Sequence, residues 1–332
     1  MGLRGVPIKM HSLLKYTSLA VIVIQTTTMV LVLRFSRTQT VAGPRYLSSS
    51  AVVASEFLKL LVCASVLLWE NDGNPVQLLR QLHQEVWCKP KETCKMLVPA
   101  GLYTLQNNLL FLALSLLDAA TFQVTYQLKI LTTAMFSVVM MKKRLSFQQW
   151  IALLLLMGGV VLVQMPAAES GKQVTQGSAA SKLLGLMAIL ASCVSSGFSS
   201  VYLEKLLKGL SQSLWVRNIQ LAIFALVLGI VAMFLTDYQR LVVGGFFQGY
   251  NYITWAVIFL QAFGGLVVSL AVRYADSILK GFATSISIVL SALCSYFLLG
   301  DFLPTTDFLA GASLVIFSTI MYGIPVSSGS SK

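Results

Sequence analysis

The sequence predicts an all-α membrane protein with ten transmembrane helices arranged as two inverted five-helix repeats. Three observations predict it. Apolar residues come in runs of about twenty, the length that crosses a hydrocarbon core. Only 11% of the 332 residues are charged, against 56% hydrophobic, whereas a soluble domain carries about 25% charged residues to cover its surface. Lys and Arg are also distributed unequally between alternate loops.

The ten predicted spans cover residues 14–33, 46–69, 96–117, 119–141, 147–164, 183–206, 214–235, 253–272, 278–299 and 306–324. The first is too long for a signal-peptide core and lacks a small-residue cleavage site, so it reads as an uncleaved anchor. Two stretches are long and polar enough to be real loops: an amphipathic segment over 70–95, and a Ser-, Gly- and Gln-rich linker over 166–182. The domain reading is therefore a first five-helix repeat over 1–165, the linker, a second repeat over 183–325 and a polar tail over 326–332.

The formal net charge is +12. In a soluble chain that would suggest nucleic acid, but no Lys/Arg run is long enough for such a patch, so no nucleic-acid partner is expected. Threading the chain through ten spans puts sixteen basic residues, Arg217 among them, on the side of both termini. Six lie on the other side, and Lys59 and Lys129 fall inside spans. That bias predicts cytosolic termini.

A weak internal repeat sets A-L-S-L-L-D at 113–118 against A-V-R-Y-A-D at 271–276. In the same register Ile130, Ala134 and Ser137 fall opposite Ile288, Ala292 and Ser295. Five spans per repeat is an odd number, so the second repeat would be inverted, an arrangement typical of transporters.

A charge in the middle of a membrane helix costs about 3 kcal/mol or more. Glu56 and Lys59 share a helix face three residues apart; the pair either locks two helices or lines a path. Lys129 lies well inside its span with no acid nearby on its own helix. It either snorkels or faces a water-filled cavity that receives an anion. Lys280, just after Asp276, is either a loop charge or a second such cation.

Gln106, Asn107 and Asn108 are consecutive amides in an apolar run, and they offer donors and acceptors to a base or ribose. Tyr103 and Tyr126 can stack on a ring. Gln123 and Gln127 extend the polar face near Lys129. Ser196, Gly197 and Asn218 either let helices approach or let a ligand lie against backbone. The implied ligand is anionic, has hydrogen-bonding edges and contains something planar, as a nucleotide does.

Of the five cysteines, three lie in apolar runs, while Cys88 and Cys94 form a C-x5-C spacing that is no usual zinc pattern. His11 and His83 are the only histidines, so neither a metal nor a cofactor is expected. There is no Walker loop, H-E-x-x-H or G-x-S-x-G, which points to a secondary carrier. The alternatives are a membrane-embedded glycosyl- or lipid-modifying enzyme, or a scaffold working through 70–95.

The strings that carry this argument are Y-T-L-Q-N-N-L at 103–109, D-A-A-T-F-Q-V-T-Y-Q-L-K at 118–129, S-S-G-F at 195–198, W-V-R-N-I-Q at 215–220 and Y-A-D-S-I-L-K-G-F-A-T-S at 274–285. They resemble the Golgi nucleotide-sugar transporters, in the branch serving CMP-sialic acid, UDP-galactose and UDP-N-acetylglucosamine. G-P-R-Y-L-S-S at 43–49 and D-F-L-P-T at 301–305 look most like the members that carry UDP-N-acetylglucosamine. Phe122 agrees better with UDP-galactose members, and family members often have Asn at the positions of Leu116 and Ser277 and Gly at that of Ser200.

The resemblance implies a drug/metabolite transporter fold in the Golgi membrane. It also implies antiport of a cytosolic UDP-sugar against luminal UMP, by alternating access. Residues matching Tyr103, Asn107, Lys129, Ser196, Asn218 and Lys280 would line the nucleotide site, the two lysines holding phosphates, and Glu56 and Lys59 match a family pair near the cavity. A homo-oligomer or a complex with glycosyltransferases is the remaining partner reading.

Overall fold

The computed structural model describes residues 8–38, 46–164, 179–209, 212–299 and 304–324. The linker reading at 166–178, the tail at 326–332, the motif residues 43–45 and 301–303, and the charges Arg4 and Lys332 lie outside the described residues.

All regular structure among the described residues is helical: α1 (Ile8–Thr38), α2 (Ser48–Glu70), α3 (Pro75–Leu82), α4 (Pro90–Cys94), α5 (Leu97–Leu116), α6 (Ala119–Tyr126), α7 (Leu128–Met141), α8 (Phe147–Gln164), α9 (Ala179–Gly209), α10 (Leu214–Gly244), α11 (Tyr252–Tyr274), α12 (Ser277–Cys294) and α13 (Thr306–Gly323). Single π-helical turns follow α3 at His83–Trp87 and α12 at Ser295–Leu299. Among the described residues ten stretches are long and apolar enough to cross a membrane, and α6 with α7 makes one of them.

Helix boundaries follow local chemistry. Asp118 caps α6 by accepting from the Thr121 backbone N–H at 2.9 Å, and Thr305 caps α13 through Phe308. Asn251 and Thr254 form a reciprocal capping box at the start of α11. Several helices outrun their predicted spans. α9 begins at Ala179, inside the expected linker, because Ala-Ala-Ser-Lys continues a helix readily once past the hydrocarbon edge. α10 runs on to Gly244 with a kink at Asp237, whose carboxylate accepts from Ser49 Oγ at 2.6 Å.

The chain forms two compact units, 1–104 with 203–276 and 105–202 with 277–332, so that two of the three boundaries fall within α5 and α9 and the third between α11 and α12. In the first unit α2 packs on α10 and α11, and α1 packs on α11. Cys63, Leu67, Val216, Ile219 and Leu266 form one core there, and the 70–95 segment closes over it with Leu78, Leu82 and Val86. In the second unit α8 packs along α13 and α7 along α12, around Leu153, Leu156, Phe282 and Val315.

Arg217 lies inside α10, not in a loop. It is 2% exposed in the first turns of α10. Its guanidinium donates to the Glu92 carbonyl at 3.2 Å, the Glu92 carboxylate at 3.3 Å and Gln220 Oε1 at 3.0 Å. Gln220 in turn donates to the Glu85 carbonyl and Thr93 Oγ1, both at 3.1 Å. A buried guanidinium needs such partners, and these tie the 70–95 segment to α10. In Arg217→Met, amide hydrogen exchange across 85–95 should speed up by about tenfold or more, the equivalent of losing charged hydrogen bonds, while α2 exchanges as before.

Candidate functional site

The span that carries Lys129 is broken. The helix tightens at Gln127, whose N–H bonds the Val124 carbonyl at 3.3 Å, while its own carbonyl accepts from Ile130 at 3.0 Å. α6 therefore stops at Tyr126 and α7 starts at Leu128. Backbone groups released in a membrane interior must find partners. Cys193 of α9 supplies them, its Sγ lying 3.6 and 3.5 Å from the carbonyl oxygens of Thr125 and Tyr126. Thr132 Oγ1 donates back to the Cys193 carbonyl at 2.8 Å. Gln127 is buried and bonds Gln164 Oε1 of α8 at 3.0 Å, so it joins helices instead of facing a ligand.

Lys129 occupies the first turn of α7. Its ammonium sits 3.8 Å from the centre of the Tyr126 ring, a cation–π contact, and no carboxylate pairs with it among the described residues. Tyr126 is stacked on Phe122 at 5.8 Å. Gln106 is 9% exposed, and its Oε1 is buried with no partner among the described residues. An unsatisfied buried acceptor of this kind calls for a donor. Asn107 is exposed on the same helix.

Lys280 lies in the first turn of α12 and donates to Ser200 Oγ of α9 at 3.3 Å, while Ser277 Oγ donates to the Ser200 carbonyl at 3.1 Å. Ser200 thus meets both Ser277 and Lys280. Ser196 is half-buried. Gly197 serves packing: a Cβ there would sit 2.7 Å from Thr132 Oγ1 and 2.8 Å from the Thr133 backbone nitrogen.

The other predicted residues, Tyr103, Asn218, Glu56 and Lys59, belong to the first unit. Glu56 and Lys59 pair at 2.7 and 2.9 Å, as their spacing predicts. Asn218 is fully engaged, donating to the Leu214 carbonyl at 2.9 Å and accepting from Ser269 Oγ at 2.8 Å. Sequence reasoning missed the glycine pair in α11. A Cβ on Gly265 would meet Lys59 Cε at 2.7 Å, and one on Gly264 would collide with the Gln25 amide, which donates to the Leu260 carbonyl at 3.0 Å. The adjacent glycines Gly264-Gly265, and a lone amide in the first span, were the available signals.

A helix interrupted at Gln127, a lysine there with no paired carboxylate among the described residues, and a second lysine in the same compact unit together make a candidate anion site. A family profile described as nucleotide-sugar transporter matches residues 10–323. The chain belongs to the nucleotide-sugar transporter family. This nucleotide-sugar transporter is 53% identical to the UDP-N-acetylglucosamine transporter of Canis lupus familiaris over 314 residues, covering 95% of this chain and 96% of that protein. It is 48% identical to the UDP-galactose translocator of Homo sapiens over 317 residues, covering 95% of this chain and 78% of that one. A crystal structure of a protein sharing 16% identity superposes with a TM-score of 0.64, covering 94% of this chain and 97% of that one, a likeness of fold alone. The family and these relatives are transporters, which removes the reading of a membrane-embedded enzyme.

Proposed function

We propose that this transporter imports UDP-N-acetylglucosamine into the Golgi lumen in exchange for UMP, by alternating access, with both termini in the cytosol. The observation that carries it is Lys129, a cation held within a span with no paired acid among the described residues. A charge there is expensive until a counter-ion arrives, and a pyrophosphate is one. Lys280 supplies a second cation. The unpaired Gln106 Oε1 suits the N–H of a uracil ring, and exposed Asn107 and half-buried Ser196 suit the ribose or sugar. Tyr103, Asn218 and the Glu56–Lys59 pair stay in the proposal on the family resemblance. The choice of sugar follows the name of the Canis lupus familiaris relative.

Inverted repeats over 1–165 and 183–325 suit the pairing of helices. Counting spans in chain order, 2 packs on 7, 4 on 9, 5 on 10 and 1 on 8, while Ala113 and Leu117 of span 3 meet Ala188 and Ile189 of span 6. Shifting every span by five returns these five pairs, whereas the packing of span 2 on span 8 has no such counterpart among the described residues.

Purified protein in liposomes tests the transport reading. Vesicles preloaded with UMP should take up UDP-N-acetylglucosamine several-fold faster than empty ones, and equal rates would remove exchange. In the same vesicles UDP-N-acetylglucosamine should outcompete UDP-galactose and CMP-sialic acid; the reverse order would reassign the sugar.

A further inference from the structure

The 70–95 segment carries two apolar stripes, and the core uses only one of them. Leu78, Leu82 and Val86 turn inward onto α2, α10 and α11. Val76, Leu79 and Trp87, spaced three and eight residues apart, form a neighbouring stripe that is 60%, 67% and 78% exposed. Trp69, at the end of α2, is 82% exposed beside it in the chain. Val76, Leu79 and Trp87 lie outside the membrane-crossing stretches of α2 and α5, so lipid tails are not their default cover, while Trp69 stands at the last turn of α2.

Charge complements the stripe. Arg80, Lys89 and Lys91 are exposed, and none is in an ion pair among the described residues. The acids nearby are differently placed. Glu92 pairs with Lys95 and Arg217, and Glu85 buries its Oε2; only Glu70 and Asp72, on the α2 side, face outward. An apolar stripe with tryptophans, flanked by unpaired cations, has the chemistry of a helix lying in a lipid headgroup layer. The segment is tied to a membrane span at each end, by α2 at Glu70 and α5 at Leu97, and Arg217 pins it between them. Its helical stretch over 75–87 is about 20 Å long, enough to lie along the surface.

We propose that the 70–95 segment is a surface anchor that inserts Trp69, Val76, Leu79 and Trp87 among headgroups and binds anionic lipid through Arg80, Lys89 and Lys91. The proposal does not depend on which sugar is carried or on exchange.

Cys88, exposed next to Trp87, provides a probe. The full chain with Cys94→Ser and Cys294→Ser carries a spin label on Cys88 and is placed in nanodiscs of phosphatidylcholine, with or without phosphatidylserine. Collisions of the label with a water-soluble nickel chelate should fall roughly fivefold or more when the anionic lipid is present, about the weight of a single basic side chain at a charged surface. The triple variant Arg80→Glu/Lys89→Glu/Lys91→Glu should lose that lipid dependence, and Leu79→Ser/Trp87→Ser should leave the label water-exposed in both bilayers. Equal chelate access in the two lipids, or a triple variant indistinguishable from the parent, overturns the proposal. A label shielded only after soluble protein is added would mean a protein partner and would overturn it too.

Discussion

Lys129→Ala should lower nucleotide-sugar uptake at least about thirtyfold, the loss expected when one side of a buried charge contact is truncated, while the protein stays folded. The two parts of this result come from different physics. The ammonium contributes no ion pair among the described residues, so its removal leaves no carboxylate stranded. What it loses is a cation–π contact at 3.8 Å, worth about 0.5–2 kcal/mol, and the desolvation cost of the charge disappears with it. The melting temperature should therefore change little or rise. Lys129→Arg keeps the charge and should retain more uptake than alanine does. Uptake in liposomes and a detergent melt check both halves. Unimpaired uptake in Lys129→Ala would take the residue out of the site.

Gly311→Ala should be among the most damaging single-methyl changes in the chain. Its Cβ would lie 2.7 Å from the Gly159 carbonyl oxygen, 2.8 Å from Leu162 Cβ and 2.8 Å from the Val163 nitrogen. Two of these three are backbone atoms of α8, so relief requires two helices to part. Overpacking a core costs about 1–3 kcal/mol, and here it strikes the close α8–α13 contact that small residues make possible in membranes. Gly158→Ala is the matched control. Its Cβ would meet only Leu314 Cδ2 at 3.8 Å, and alanine is about 1 kcal/mol better than glycine inside a helix. Thermal melts followed by size-exclusion should show a clear drop for Gly311→Ala and none for Gly158→Ala. Equal melts would mean that the two helices part easily.

The spans were legible because lipid makes apolar length a strong requirement. Phe147–Gln164 was read to the residue, and most boundaries agree within a few. The break at Gln127 was not legible. It contains neither proline nor glycine, and what permits it is Cys193, remote in sequence. The buried role of Arg217 was not legible for the same reason. Near a helix start it looks like a loop charge, and only the folded position of Glu92 and Gln220 makes it a buried tie. Lys129 was legible as an anomaly because its cost is local. What Gln106 and Asn218 do was not, since an amide's role depends on which partner is found: Asn218 has two, while Gln106 Oε1 has none among the described residues.

Because the first compact unit joins residues 1–104 to 203–276, α1 and α2 leave the ribosome long before α10 and α11 exist to receive them. During that interval the Glu56–Lys59 pair has only itself for neutralisation, and the surfaces later covered by Gly264 and Gly265 stand open to lipid. Each half of the polypeptide should therefore need the other in order to mature. A fragment ending in the 165–178 stretch should be a substrate for membrane quality control, and rescue would require the missing half to be supplied in trans.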